Sequence, residues 1–246
     1  MYSRIAEDGA PMATLEPRPV KWMTPEEMSA GVPLPEGYRF ERLRRSDIAE
    51  VVTLVGAWFP GIRVGSASGY TRAEFFETNV TLDAERETDV SVVLIRRDLE
   101  LAAIVCCERN RDALTLYGSL IVVAPAHRGA QLGGTGALLM EAQARHMGAG
   151  LVYGMATLKF PYMQRALEVA GWQLIGITPG YDRELIAPGI VKRVYEALYA
   201  KVLVTDASLL RPETENLTAR TRAFFDFLFP EEAARHSAQQ AVNQTG

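Results

Sequence analysis

Residues 128–136 are the part of this chain best suited to chemistry. They combine glycines with two polar side chains that can bind an anion: Arg128, Gly129, Gln131, Gly133, Gly134 and Gly136. Glycines let backbone N–H groups converge on a ligand, and the start of a helix adds partial positive charge. The stretch is therefore typical of a cradle for a phosphate or pyrophosphate group.

The flanking residues supply the elements that must position this cradle. Residues 114–124 have the composition and alternation of a β-strand, and the residues after Gly136 have the pattern of a helix. Such a unit brings the backbone N–H groups of a helix start to the end of a strand. We predict a strand, a glycine-rich turn and a helix in direct succession.

Two common nucleotide-binding turns fit the spacing poorly. A mononucleotide P-loop needs a lysine after its second glycine, but Thr135 follows Gly134. A dinucleotide-binding turn needs a small third residue for close helix packing, but Leu139 stands there, and no acidic residue stands out at the ribose distance. The first interpretation fails and the second is weak.

The stretch resembles the acyl-CoA-binding motif of the GNAT superfamily of N-acetyltransferases. In that motif a strand ending V-x-P-x-x-R-G leads into Q/R-x-x-G-x-G/A and a helix, and the first half is matched by Val123, Pro125, Arg128 and Gly129. Residues 166–172 stand where the family has a motif like L-Y-E-K-L-G-F, at the end of the next helix. The resemblance covers most of residues 38–204.

The second half of the motif fits in two registers. In the first, the motif starts at Arg128, so that Gln131 takes the place of the middle glycine and the motif ends on Gly133. In the second, it starts at Gln131 and matches every position, with Gly134 and Gly136 as the glycines, but it adds about three residues after the proline. We favour the second register for the start of the helix.

The resemblance implies a mixed α/β fold with a central mixed, largely antiparallel sheet flanked by helices. We expect this domain over residues 37–204, after an N-terminal arm (1–36) and before a C-terminal helix and disordered tail (205–246). Thr24 and Glu27 in the arm resemble a helix start with a capping box. Patterns in the domain predict strands at 37–44, 90–97, 101–108, 114–124 and 151–158, helices at 46–58 and from residue 71, and a closing hairpin containing a loop at 181–189.

The resemblance also implies acetyl-CoA as a co-substrate. Its expected contacts lie at the end of the strand and in the turn: Ile121, Val122, Val123, Arg128, Gly129, Gln131, Gly133, Gly134, Thr135 and Gly136. In the family, backbone N–H groups of the strand near Val123 polarise the thioester carbonyl. Comparable donors are typically worth roughly 3 kcal/mol of activation free energy.

Tyr117 and Ser119 occupy the strand positions that often carry the general base in this family. An aliphatic ammonium must lose a proton before it attacks a thioester, and neither side chain is a good base at neutral pH. We expect them to anchor a water, with Glu108 on the preceding strand as the carboxylate. A tyrosine and a serine that only satisfy hydrogen bonds in the sheet are an equally good interpretation.

The general acid of the family is missing from its usual position. In many relatives a tyrosine there protonates the departing CoA thiolate, but this chain has Leu167. Tyr162 in the same helix is our first substitute, and Tyr153 and Tyr181 are weaker ones.

Alternation predicts where the side chains of two strands point. In the strand before the turn it assigns Leu114, Leu116, Leu120 and Val122 to one face, and Thr115, Tyr117, Ser119, Ile121 and Val123 to the other. The adjacent Cys106 and Cys107 fall in a buried strand and must point to opposite faces. We interpret them as small buried hydrophobic residues without a disulfide.

Composition limits the classes of partner. A formal net charge of −4 and a pI near 5.5 argue against nucleic acid. No leader pattern and no apolar run of about 18 residues occurs, so we expect no membrane association and a cytoplasmic protein. The three histidines, His127, His146 and His236, share no ligand spacing with the cysteines, so we expect no metal site.

The segment 213–229 carries an apolar stripe that needs burial, formed by Leu217, Thr221, Phe224, Phe225, Leu228 and Phe229. It packs on its own sheet or forms a homodimer contact. The tail beyond Pro230 has the composition of a disordered segment.

These observations favour an acyl-CoA-dependent N-acyltransferase that transfers acetyl from acetyl-CoA to a primary amine of a small molecule or peptide. A non-catalytic acyl-CoA-binding or regulatory module is the alternative, because Leu167 replaces the tyrosine and no base is obvious. An acyltransferase for longer acyl chains is a further alternative. The sequence does not name the acceptor amine.

Overall fold

A computed structural model of the chain describes residues 21–231 and residue 234. The first 20 residues of the predicted N-terminal arm, and almost all of the predicted disordered tail, lie outside the described residues. The chain forms two compact units that divide between Leu203 and Val204.

The larger unit is built on a seven-stranded sheet in the order β1-β2-β3-β4-β5-β7-β6. The strands are β1 (Tyr38–Arg42), β2 (Val90–Arg97), β3 (Glu100–Asn110), β4 (Thr115–Val123), β5 (Leu151–Thr157), β6 (Gln173–Ala187) and β7 (Ile190–Val202). Neighbouring strands pair antiparallel except β4 and β5, which are parallel. The predicted mixed, largely antiparallel sheet is confirmed.

Helices cover both faces of this sheet. They are α1 (Pro25–Gly31), α2 (Ile48–Trp58), α3 (Ala73–Asn79), α4 (Leu132–His146) and α5 (Tyr162–Val169). Residues of α1, α4 and α5 share one apolar cluster with one side of the sheet, and residues of α2 and α3 share a second cluster with the other side. We call these sides the α4 face and the α2 face.

The described part of the N-terminal arm packs on the sheet. Trp22 is 1% exposed, and its indole N–H donates to the carbonyl of Thr88 at 2.9 Å. The predicted capping box is present at α1, because the backbone N–H of Thr24 donates to the Glu27 carboxylate at 2.7 Å and the Thr24 hydroxyl accepts from the Glu27 N–H at 3.3 Å. Residues 21–36 therefore belong to the same compact unit as the sheet.

The two cysteines lie as expected. Cys106 belongs to the cluster on the α2 face and Cys107 to the cluster on the α4 face, and both thiols are free and buried. Burial raises the pKa of each thiol well above its usual range. Both are inert core residues at neutral pH.

Three predicted boundaries were wrong. The helix predicted to follow a cap at Ser46 begins at Ile48, because residues 45–47 form a 3-10 turn, and the helix predicted to open at Thr71 begins at Ala73. The predicted loop at 181–189 is mostly strand, since β6 continues to Ala187. Register shifts between Thr178 and Asp182 and between Leu185 and Ala187 absorb the extra residues. Bulges of this kind let a long strand bend.

The smaller unit contains α6 (Ala219–Leu228), which begins later than the predicted start of the apolar segment. The hydroxyl of Thr218 accepts from the backbone N–H of Thr221 at 3.2 Å and caps the helix. Phe224 and Phe227 are 51% and 77% exposed. The homodimer contact therefore stays a prediction. Among the described residues, none of the helices has the length and apolar character needed to cross a bilayer.

Candidate active site

A gap opens in the middle of the sheet where β4 and β5 separate. The two strands pair from Thr115 and Leu151 only as far as Gly118 and Gly154, after which β4 pairs with β3 alone and β5 with β7 alone. The two glycines allow a close approach at the base of the gap, since a Cβ on Gly154 would lie 3.1 Å from the Gly118 carbonyl oxygen. Beyond them, the strand edges that face each other carry backbone groups with no strand partner in the described chain.

A bulge in β4 lies at the base of this gap. Cys106 pairs with Leu120 and Cys107 with Gly118, so Ser119 is an extra residue without a partner on β3. A bulge of one residue exchanges the faces of all residues beyond it. The backbone N–H groups next to such a bulge are released from regular pairing.

This bulge corrects the predicted faces of β4. Leu116 shares the α4 face with Ile121 and Val123, whereas Leu120 and Val122 lie on the α2 face. The prediction grouped Leu116 with Leu120 and Val122, because simple alternation cannot register an inserted residue. Tyr117 and Ser119 remain on the α2 face, separate from Ile121 and Val123.

The turn after β4 has the geometry of an anion cradle. Gln131 adopts a left-handed backbone conformation with φ of 61°, and α4 begins at the next residue, Leu132. The first helical hydrogen bond runs from the Thr135 N–H to the Gln131 carbonyl at 3.1 Å. The N–H groups of Leu132, Gly133 and Gly134 therefore have no acceptor in their own helix, and none among the described residues.

The start of α4 favours the register that starts at Arg128 over the one that we preferred. A left-handed residue immediately before the helix is where a glycine belongs, and Gln131 takes that conformation as the middle position of the register that starts at Arg128. No residues need to be looped out after the proline. Gly129 has a φ of +96°, and it and Arg128 are exposed at the mouth of the turn.

Thr135 and Gly136 lie on the buried side of α4 rather than toward the cradle. A Cβ on Gly136 would lie 2.9 Å from Ile121 Cδ1 and 3.2 Å from Val105 Cγ2, so this glycine allows the helix to pack closely on the sheet. Thr135 is 6% exposed, and its hydroxyl is 3.4 Å from the Pro33 carbonyl. Among the glycines of the turn, a Cβ would meet nothing within 4 Å at Gly129 and at Gly134.

Three of the four predicted catalytic side chains lie together on the α2 face, around a residue that the sequence did not single out. Glu108 is paired with Tyr117 across the strands. The hydroxyl of Tyr70 lies 2.8 Å from the Ser119 hydroxyl and donates to Glu108 Oε1 at 3.3 Å. Burial, with Glu108 and the cysteines nearby, raises the pKa of Tyr70 well above its usual range, so Tyr70 stays a hydrogen-bond donor.

Replacing Tyr70 with phenylalanine is expected to lower the free energy of unfolding by about 1–2 kcal/mol, because the half-buried Ser119 and Glu108 lose the hydroxyl that they share. Denaturant unfolding of the variant and the wild type measures this change. Tyr195→Phe, at a 58% exposed tyrosine, is the matched control and should leave the midpoint unchanged. Equal midpoints for both variants would show that the Tyr70 hydroxyl stabilises nothing.

Comparison with solved structures identifies this architecture. A mutant of the spermidine N-acetyltransferase from Vibrio cholerae has a TM-score of 0.54 at 12% identity, covering 68% of this chain and 95% of that chain. A ribosomal-protein-alanine acetyltransferase from Vibrio fischeri has a TM-score of 0.54 at 9% identity, covering 70% and 96%. A Salmonella typhimurium protein described as an acetyltransferase, solved with acetyl-CoA, has a TM-score of 0.51 at 14% identity, covering 70% and 98%.

The chain has the GNAT fold. No family model matches the sequence, and no curated protein matches it significantly. The likeness is therefore one of structure, and it confirms the fold that the motif predicted.

Within this GNAT fold, the position of the usual acid is part of the core. Leu167 is 3% exposed in the cluster on the α4 face. Tyr162, our first substitute, is 75% exposed at the start of α5, and its ring stacks on Phe160 with centroids 6.2 Å apart. Among the described residues it makes no hydrogen bond or ring contact with the other predicted catalytic side chains, so its role stays a prediction.

At one end of the sheet, β6 and β7 form a wall of the α2 face. This wall carries three carboxylates that the sequence did not indicate, those of Asp182, Glu184 and Glu196. Asp182 accepts from the Ser66 N–H at 2.9 Å and from the Ser66 hydroxyl at 2.7 Å, and Glu184 forms an ion pair with Lys159. Glu196 on β7 is 9% exposed. In the sequence, the alternation of β7 indicates to which face of the sheet Glu196 points. No pattern in the sequence indicates that β6 bends over the α2 face.

Tyrosine hydroxyls complete the face. The rings of Tyr117 and Tyr153 lie 5.2 Å apart between centroids, on paired residues of β4 and β5. Burial, and then the neighbouring Tyr181 hydroxyl, raises the pKa of Tyr117 far above its usual range. Tyr117 is therefore a neutral hydrogen-bonding group and not a base at neutral pH.

Proposed function

We propose that this protein is an acyl-CoA-dependent N-acyltransferase that transfers acetyl from acetyl-CoA to a primary amine. The single observation that carries the proposal is that the free N–H groups at the start of α4 and the gap between β4 and β5 lie at the same end of the sheet. A thioester whose elongated arm leads to a pyrophosphate, as in an acyl-CoA, can occupy both at once. The GNAT fold supports the same activity.

The cradle supports binding of the nucleotide end. The N–H groups of Leu132, Gly133 and Gly134 and the positive end of α4 suit the two phosphates, and the exposed Arg128 adds a positive charge. Gly129 and Gly134 leave the surface open for close approach. Of the predicted cofactor contacts, Thr135 and Gly136 serve packing in this proposal.

The gap supports binding of the thioester arm. The amide groups of this arm can form hydrogen bonds with the backbone groups of β4 that have no strand partner, as an added strand would. The thioester carbonyl then reaches the bulge at Ser119, four residues before the position near Val123 that the resemblance implied, and the unpaired backbone of the bulge can stabilise the oxyanion there. Ile121 and Val123 are partly buried and pack against the cluster on the α4 face, so they offer an apolar surface beside the gap.

Titration calorimetry with acetyl-CoA and with free CoA, followed by a thiol-release assay on a panel of amines, tests the proposal. The panel contains an aliphatic monoamine, a diamine, an amino acid and a short peptide. We expect binding of both coenzymes and turnover of at least one amine. No binding would contradict the whole proposal.

Binding without turnover of any amine would favour the alternative, a non-catalytic acyl-CoA-binding module. The burial of Leu167 at the usual acid position is the observation that keeps this alternative open. Competition by thioesters of increasing chain length separates acetyl from longer acyl groups.

A further inference from the structure

Glu196 is a buried carboxylate without a partner, on the face that would receive the acceptor. It is 9% exposed, and among the described residues it accepts no hydrogen bond and forms no ion pair. Its neighbours Ala197 and Tyr199 belong to the cluster on the α4 face, so alternation directs Glu196 to the opposite, α2 face. Burial without an opposite charge disfavours the ionised form of a carboxyl group, so Glu196 is suited to hold a proton.

Glu196 interacts electrostatically with Tyr117 on β4 and with Asp182 and Glu184 on β6. Tyr153 and Tyr181 lie beside Tyr117, and Lys159 lies beside Glu184. Lys159 is paired with Glu184, and Asp182 is occupied by Ser66. Glu196 is therefore the carboxylate of this wall that remains available to a positively charged ligand.

We propose that Glu196 is the general base that accepts the proton of the acceptor ammonium. This inference rests on the proposed function. The ammonium gives one proton to Glu196, and the free amine attacks the thioester carbon, so that a C–N bond forms. The C–S bond then breaks, and the second proton lost by the nitrogen goes to the CoA sulfur. Glu196 returns its proton to water before the next cycle.

The electrostatic setting supports this role. Burial, followed by the negative charges of Asp182 and Glu184, raises the pKa of Glu196 to about 7. A base with a pKa near the working pH combines an ionised population with a useful proton affinity. The same negative surroundings attract a cationic amine, which suits an acceptor that arrives protonated.

Glu196→Gln, which keeps the size of the side chain, tests the proposal on an amine turned over by the wild type. We expect kcat to fall by about 100-fold or more. The wild-type rate should rise with pH up to about 7, where Glu196 becomes ionised, and this limb should vanish in the variant. Glu196→Asp keeps the carboxylate and should retain the limb at a reduced rate.

A second measurement does not depend on turnover. Because the folded-state pKa of Glu196 lies above the unfolded value, the fold takes up a proton between pH 4.5 and about 7, and wild-type stability falls across that window. Glu196→Gln removes this loss. The melting temperature of Glu196→Gln minus that of the wild type should therefore increase as the pH is raised from 4.5 to about 8.

The outcomes separate the two proposals. If the rate of Glu196→Gln still rose with pH as the wild-type rate does, the role of Glu196 would be overturned and the proposed function would stand. A raised KM with unchanged kcat would also overturn it, because Glu196 would then only anchor the amine. A wild-type protein that acylates no amine on the panel would overturn the proposed function and this inference with it.

Discussion

Gly134→Glu is expected to weaken the binding of acetyl-CoA by roughly 100-fold or more, which corresponds to about 2.7 kcal/mol. The variant should fold normally, because nothing lies within 4 Å of the position of a Cβ on Gly134. Its carboxylate would stand at the first turn of α4, among the N–H groups of Leu132 and Gly133. There it would fill the cradle and repel a pyrophosphate. Titration calorimetry measures the change in Kd.

Gly134→Gln is the matched control, because it adds the same bulk without the charge. We expect it to weaken binding by much less than the glutamate does. Equal losses in the two variants would mean that the open surface at Gly134 matters and the charge does not. Unchanged binding in Gly134→Glu would place the coenzyme elsewhere and contradict the cradle.

Gly65→Ala should cost about 3 kcal/mol of unfolding free energy, the largest loss of stability that we expect from a single methyl group. Gly65 has a φ of +92°, which is strained for alanine. An added Cβ would also overlap the Arg183 carbonyl oxygen and the Asp182 carboxylate, which lie on β6. The loop at residues 60–71 would have to move off β6, and the hydrogen bonds from Ser66 to Asp182 would be lost. Denaturant unfolding measures the loss.

Gly189→Ala separates strain from overlap. Gly189 has a φ of +73°, but nothing lies within 4 Å of its Cβ position. The control should therefore lose only about 1 kcal/mol. If Gly65→Ala lost no more than Gly189→Ala, the close packing of the loop on β6 would be refuted.

The elements predicted best from the sequence are those set by local patterns. The meander of β2, β3 and β4, the helix after the turn and the capping box at Thr24 all follow from alternation, glycine and capping residues within a few positions. The motif at Arg128 and Gly129 also sufficed to predict the fold class. In each case the information lies within one strand or one turn.

The features that the sequence did not predict depend on contacts between distant segments. The bulge at Ser119 exists only in the pairing of β4 with β3, so alternation assigned Leu120 and Val122 to the wrong face. The bending of β6 over the α2 face depends on the loop containing Ser66, which is 116 residues away from Asp182. Tyr70 and Glu196 were missed for the same reason, since neither belongs to a motif.

The parallel pairing of β4 with β5 requires a crossover through α4, and this has a consequence for the choice of coenzyme. The turn at residues 124–131 is fixed at one end to the gap and at the other to the helix start. In the binding mode that we propose, the length of this turn would set the separation between the reacting carbon and the phosphates. A thioester that lacked the nucleotide, or carried it on a shorter arm, would then satisfy only one of the two ends.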